Sequence, residues 1–146
     1  MAVIRTVTIA PGDNTGWHYH PARVQAVLLA GTLTRVLEDS TVEVTLPGES
    51  LVELPEQVHI GYNLGAEPVV ILATYQEVDG CPLSVPAPRP ALDLPDELMA
   101  RLGLGPVLVR GAAPTPVRSA LGAVGAVGTV GTVGGLAGPA ECQRSA

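Results

Sequence analysis

Apolar and polar positions alternate in short bursts from Val3 to Glu77, and each burst stops at a residue that breaks extended structure. Runs of this length with a period near two are the signature of half-buried strands. They predict strands over Val3–Ile9, Gly16–His20, Val24–Ala30, Thr32–Glu38, Val42–Leu46, Leu51–Leu54, His59–Asn63 and Val69–Gln76. Pro11-Gly12-Asp13, Glu38-Asp39-Ser40, Pro47-Gly48-Glu49 and Gly65-Ala66-Glu67-Pro68 supply the turns, because Gly tolerates positive φ and Pro presets the entry to a turn. An antiparallel sheet of this kind buries its edges by closing into a barrel or by stacking as a sandwich, and either leaves room for a narrow interior.

The pattern changes after Tyr75. Residues 81–92 contain the proline-rich stretch Pro82 to Pro90, read as an extended linker or as an arm lying along the barrel. A short helix is predicted over 93–103, with Asp93 as N-cap, Pro95 in the first turn and Gly103 as terminator. Its stripe of Leu94, Leu98 and Leu102 needs an apolar surface, on this barrel or on a second subunit. Residues 111–146 are a low-complexity Ala/Gly/Val tail with Val-Gly repeated at Val124, Val127, Val130 and Val133. So many glycines raise the entropic cost of ordering, so disorder is the leading expectation. The uncharged stretch 119–140 nears the ~20 residues of a membrane span, but at that glycine density it is a poor helix, and no membrane partner is expected.

Composition sharpens the picture. The 47% apolar fraction of this 146-residue chain rests on Val, Leu and Ala, with 3% aromatics and no Phe, which leans towards sheet. The first 80 residues suffice for one domain. All eight basic residues are Arg, and 14 acidic residues bring the net charge to -6. An acidic chain without a basic patch repels phosphate backbones, so no nucleic-acid partner is expected. No apolar run near Met1 to Thr8 suits a signal peptide, and a cytoplasmic location is the expectation. Cys81 and Cys142 show no metal or redox spacing and read as a small buried thiol and a tail residue.

The chemistry lies in three histidines. His18 and His20 are two apart in a predicted strand, so they share a face. On an interior face, two unpaired imidazoles cost on the order of 1 to 3 kcal/mol each, a penalty that a bound divalent metal removes. His59 stands in another predicted strand and shares a face with Gly61 and Asn63. If the two strands are neighbours, three imidazoles converge as a minimal site for Fe, Mn, Ni, Zn or Cu. Trp17, Tyr19 and Tyr62 alternate with the histidines and should point away, into packing or subunit contacts. Asn63 either orients the site, lining its substrate pocket, or caps a turn. A Ser-His-Asp order, a phosphate-cradling Gly-rich loop and Cys-x-x-Cys are all missing, which removes support for hydrolase and nucleotide-binding functions.

Gly12-x5-His18-x-His20 followed by Gly31, with Gly48 to Pro55 and then His59 and Asn63, resembles the two short motifs of the cupin superfamily over roughly Pro11 to Tyr75. The resemblance implies an all-β double-stranded β-helix, or jelly-roll, barrel with His18, His20 and His59 as metal ligands, and dimers built from edge strands and terminal arms. Here Val3 to Ile9 and the Pro82 to Pro90 arm would be exchanged, and sedimentation showing a clean monomer would count against it. The family's glutamate, expected three or four residues after the second histidine, is missing. Counting back from Gly31 puts Val24 there, and a slip of one residue offers the Gln25 amide oxygen instead. Glu53 is a further source of a carboxylate, although the exposed face of its strand is its expected place. A site without a carboxylate leaves a divalent ion its full charge, favouring anionic or chelating substrates. Pro55-Glu56-Gln57-Val58-His59 also lacks a glycine that is usual in the second motif. The leading expectation is a metal-dependent enzyme acting on a small polar molecule, dioxygenase-like before isomerase or lyase. A non-catalytic cupin that binds a metal or small ligand is the alternative, and polar groups around the three histidines would favour the enzyme.

Overall fold

The computed structural model describes residues 1–105 and Cys142; apart from that cysteine, the low-complexity tail and the 119–140 stretch lie outside the described residues. Among the described residues there are nine strands and one helix. In chain order they are β1 Ala2–Ile9, β2 His18–Tyr19, β3 Val24–Ala30, β4 Leu33–Leu37, β5 Val42–Thr45, β6 Ser50–Glu53, β7 His59–Tyr62, β8 Val69–Gln76, β9 Val85–Pro86 and α1 Asp96–Arg101. The eight strands expected from alternation are present with ends shifted by at most two residues.

The strands form two antiparallel sheets, ordered β1-β8-β3-β6 and β5-β4-β7-β2-β9. In the first sheet the alternation is strict. Val24, Ala26 and Leu28 on β3 and Val69, Ile71, Ala73 and Tyr75 on β8 are buried, while Gln25, Val27, Leu29 and Leu72 are exposed. The inward row meets Leu33 of the second sheet and Val7 and Ile9 of β1 in one core. This is a jelly-roll of two facing sheets. Gly31, at φ 76°, makes the turn between β3 and β4, where an added Cβ would lie 2.6 Å from the Pro68 carbonyl oxygen. Only glycine fits such a combination of left-handed backbone and close approach.

The centre of the second sheet is buried on both faces, since every residue of β4 and of β7 is covered. Leu92, Leu94, Leu98 and Met99, with buried Leu102 and Leu104, pack on Val36, Ile60 and Tyr62. The leucine stripe therefore finds its surface on its own chain. The helix is shorter than expected: its N-cap is Pro95, no side chain caps it, and the Asp93 backbone N–H instead donates to Ser40 Oγ at 2.7 Å. The proline-rich segment is an arm along the sheet, with Tyr19 opposite Val85 and the Ala87 N–H donating to the Trp17 carbonyl. The segments named as exchangeable pair within their own chain, β1 with β8 along its whole length and β9 with β2.

One expectation is overturned outright. Cys81 and Cys142 are not unrelated thiols but a disulfide, across a sequence separation of 61 residues. Local spacing carries no signal for so distant a pair. The Tyr19 hydroxyl donates to the Cys142 carbonyl, which ties the same segment to β2.

Candidate metal centre

β2 enters the sheet after a tight loop in which the Gly16 N–H donates to Asn14 Oδ1 at 2.8 Å and Thr15 Oγ1 accepts from the Gly61 N–H at 2.9 Å. This seats β2 beside β7 with His18 directly opposite His59. His20 follows one residue beyond β2, on the same face. The three rings then lie with centroids 4.3 to 5.3 Å apart, and one nitrogen from each falls within 4.8 Å of the other two.

The outer nitrogens are all spoken for. His18 Nδ1 lies 2.9 Å from the Gly16 carbonyl oxygen, His59 Nδ1 lies 2.9 Å from that of Gln57, and His20 Nδ1 lies 2.7 Å from that of Leu83. A carbonyl oxygen can only accept, so each Nδ1 carries the proton and donates it. Each Nε2 is thereby turned to the centre, with the ring orientation and outer hydrogen bond of a metal-ligating histidine. Two of the three are fixed by one local device, a bond to the carbonyl two residues back. The proline-rich arm fixes the third.

A carboxylate joins them from the opposite sheet. Glu53 Oε2 lies 3.0 Å from His20 Nε2 and Glu53 Oε1 lies 3.0 Å from His59 Nε2. The exposed position expected for Glu53 is thus overturned. On β6 Leu51 is buried and Val52 exposed, so period two returns Glu53 to the interior. The same rule disposes of Gln25, which is exposed on β3 between buried Val24 and Ala26 and faces away from the histidines. Asn63 is fully buried but outside the cavity. Its Nδ2 donates to the carbonyls of Ile9 and Glu67, and its Oδ1 accepts from the Gly65 N–H, so it staples a turn. Trp17, Tyr19 and Tyr62 point away as expected, Trp17 and Tyr62 into the cluster beneath the leucine stripe. Glu56 adopts φ 62°, the conformation that the missing glycine of the second motif would supply.

The electrostatics follow from this crowding. Burial and the neighbouring rings of His59 and His20 push His18 down to about 3, so it is a neutral donor. Burial would push the Glu53 carboxyl up, but His59 and His20 hold it well below the usual range. Burial would also lower His59, and the Glu53 carboxylate overrides that and raises it. Three ring nitrogens and a carboxylate converging in a dry space need protons or a cation among them. Among the described residues His59 Nε2 is one of two buried side-chain polar atoms without a well-formed hydrogen bond; the other is Arg35 Nε. The donor set fits a divalent transition metal.

Around the histidines is a cavity of about 50 Å³ lined also by Thr15, Arg35 and Tyr75, space for a few water-sized molecules. Buried Arg35 pairs with Glu43 and brings Nη1 to 3.6 Å from Glu53 Oε1. Burial, then the Glu53 carboxylate, raises the Tyr75 phenol, which stays protonated. Neither residue stood out in the sequence. The alternation Leu33, Arg35, Leu37 carried the signal for Arg35, and Ala73, Tyr75 the signal for Tyr75.

Fold and donor set together define a small jelly-roll protein with an interior three-histidine cluster. Residues 5–75 match the family model described as Cupin domain, and the chain belongs to the cupin superfamily. No curated protein matches the chain. Among solved structures it resembles the DMSP lyase DddQ from Ruegeria pomeroyi, 19% identical, with a TM-score of 0.53 over 62% of this chain and 45% of that one. A conserved protein with a double-stranded β-helix domain from Klebsiella pneumoniae is 20% identical, with a TM-score of 0.47 over 60% of this chain and 70% of that one. Oxalate decarboxylase from Bacillus subtilis is 20% identical, with a TM-score of 0.48 over 52% of this chain and 21% of that one. The chain thus spans less than half of the lyase and about a fifth of the decarboxylase, and at these identities the likeness is one of fold.

Proposed function

We propose that this protein is a metal-dependent cupin enzyme, holding one divalent transition metal on His18, His20 and His59 and acting on a small polar molecule. The observation that carries this reading is the orientation of the three rings, each with its outer N–H bound to a carbonyl and its Nε2 turned to the centre. Bound there, Fe would supply oxidation by O2, whereas Zn, Mn or Ni would supply Lewis-acid polarisation for isomerase or lyase chemistry. We place oxidation with O2 as the oxidant first. The chain's own part is to hold the substrate close and exclude water. Arg35 supplies a buried positive charge for an anionic or chelating group, and Tyr75 supplies a phenolic proton at the cavity wall. Polar groups of this kind beside the histidines favour an enzyme over a purely binding module. The small cavity volume is what favours the second reading, a non-catalytic cupin that holds a metal or a ligand of a few atoms. A homodimer belongs to the same proposal, with the outward apolar row of Ile4, Val27, Leu29, Val52 and Leu72 as its contact.

Elemental analysis of protein purified without chelator tests the metal. About one transition-metal ion per chain is expected in the wild type and close to none in His59→Ala. Equal metal content in the two would remove His59 from the site.

A further inference from the structure

The family's carboxylate position falls on Val24, which is 1% exposed and points into the core. In the register of the first sheet Val24 pairs with Glu53 on one side and with Tyr75 on the other. Tyr75, Val24 and Glu53 therefore form one inward row across β8, β3 and β6. Directly opposed side chains in antiparallel strands stand about 5 Å apart at Cβ, a gap that the two methylenes of a glutamate span. The carboxyl group that Val24 cannot offer is thus present one strand over, at the same height in the sandwich.

Its oxygens lie against the inner ring nitrogens, not the outer ones. Glu53 Oε2 and Oε1 are each 3.0 Å from an Nε2, those of His20 and His59, while all three Nδ1 atoms are occupied by backbone carbonyls. A carboxylate that merely oriented the rings from behind would contact Nδ1. This one stands in the space into which the three Nε2 atoms point, with Arg35 Nη1 at 3.6 Å from one of its oxygens.

We propose that Glu53 is the fourth protein ligand, a carboxylate moved across the strand pair from the Val24 position to β6. The assignment rests on the three-histidine reading above and deepens it. A divalent ion held by three neutral imidazoles and one carboxylate keeps a single net positive charge rather than two, and has fewer positions left for substrate.

Cobalt(II) is the probe, with wild type, His59→Ala and Glu53→Gln loaded in parallel. The readouts are bound cobalt per chain, affinity by chelator competition, and the visible d–d spectrum, with far-UV circular dichroism confirming the fold. The wild type should bind one cobalt, His59→Ala should lose it, and Glu53→Gln should bind at least about tenfold more weakly with a changed spectrum, since even outer-shell partners are worth about 10- to 100-fold in affinity. Wild-type affinity and spectrum in Glu53→Gln, with loss in His59→Ala, would overturn the Glu53 assignment and leave the histidine site standing. A wild type that takes up no cobalt would overturn both. If Glu53→Gln does not fold, the infrared difference spectrum of wild type with and without cobalt decides. A shifted carboxylate stretch supports the assignment, and its absence overturns it.

Discussion

Asn63 shows how a residue that belongs to a motif can serve the fold instead of the chemistry. It is fully buried, and its amide satisfies the carbonyls of Ile9 and Glu67 and the N–H of Gly65. Removing it strips a partner from three backbone groups, the buried Ile9 carbonyl and the part-buried Glu67 carbonyl and Gly65 N–H, each worth roughly 1 kcal/mol. Asn63→Ala should therefore lower unfolding stability by about 2 to 4 kcal/mol in urea titrations while leaving the metal content of the folded protein unchanged. Lost metal at unaltered stability would return Asn63 to the site. Glu53 shows the reverse case. Leu51 and Val52 are both apolar, so alternation alone did not say which face of the strand turns inward, and a charged side chain on a short strand is ordinarily placed in water. The inward face prevailed because three imidazoles and Arg35 wait inside to meet the charge.

At the scale of elements, the strands were readable because a breaker stands in nearly every gap, and His18 and His20 on one face followed from alternation alone. That β2 and β7 are neighbours was not readable, since strand order depends on long-range pairing. The helix was placed by its leucine spacing, yet its start moved from Asp93 to Pro95, since a residue that precedes proline, here Leu94, is disfavoured from the helical region. What anchors this segment is apolar contact with the outer face of β4 and β7, where Leu102 is 5% exposed and packs with Val36, Ile60 and Tyr62. Leu102→Ala should cost about 2 to 4 kcal/mol. Trp17, the sole tryptophan, packs against the same cluster. Its emission should shift to the red in that variant, and an unshifted spectrum with unchanged stability would mean that the segment is not docked there.

For the whole molecule, two sheets divide the labour. One contributes the histidines and the other contributes Glu53 and Tyr75, so the site exists only when the sandwich is assembled. Cys81 and Leu83 lie on the same arm, so the disulfide to Cys142 and the hydrogen bond that fixes the His20 ring share one stretch of chain. Such a bond endures where thiols are not kept reduced, a constraint absent from the expectation of a cytoplasmic location. On the proposed reading, the assembled fold presents three Nε2 atoms, and no Nδ1 atom, to a cation. Long-range ¹H–¹⁵N correlation spectra of ¹⁵N-labelled protein, recorded before and after adding Zn²⁺, measure this directly. All three rings should keep a protonated Nδ1 throughout while all three Nε2 resonances move together to metal-bound positions at one Zn²⁺ per chain. Nε2 resonances that ignore zinc, or an Nδ1 that loses its proton to it, would rule out the proposed site.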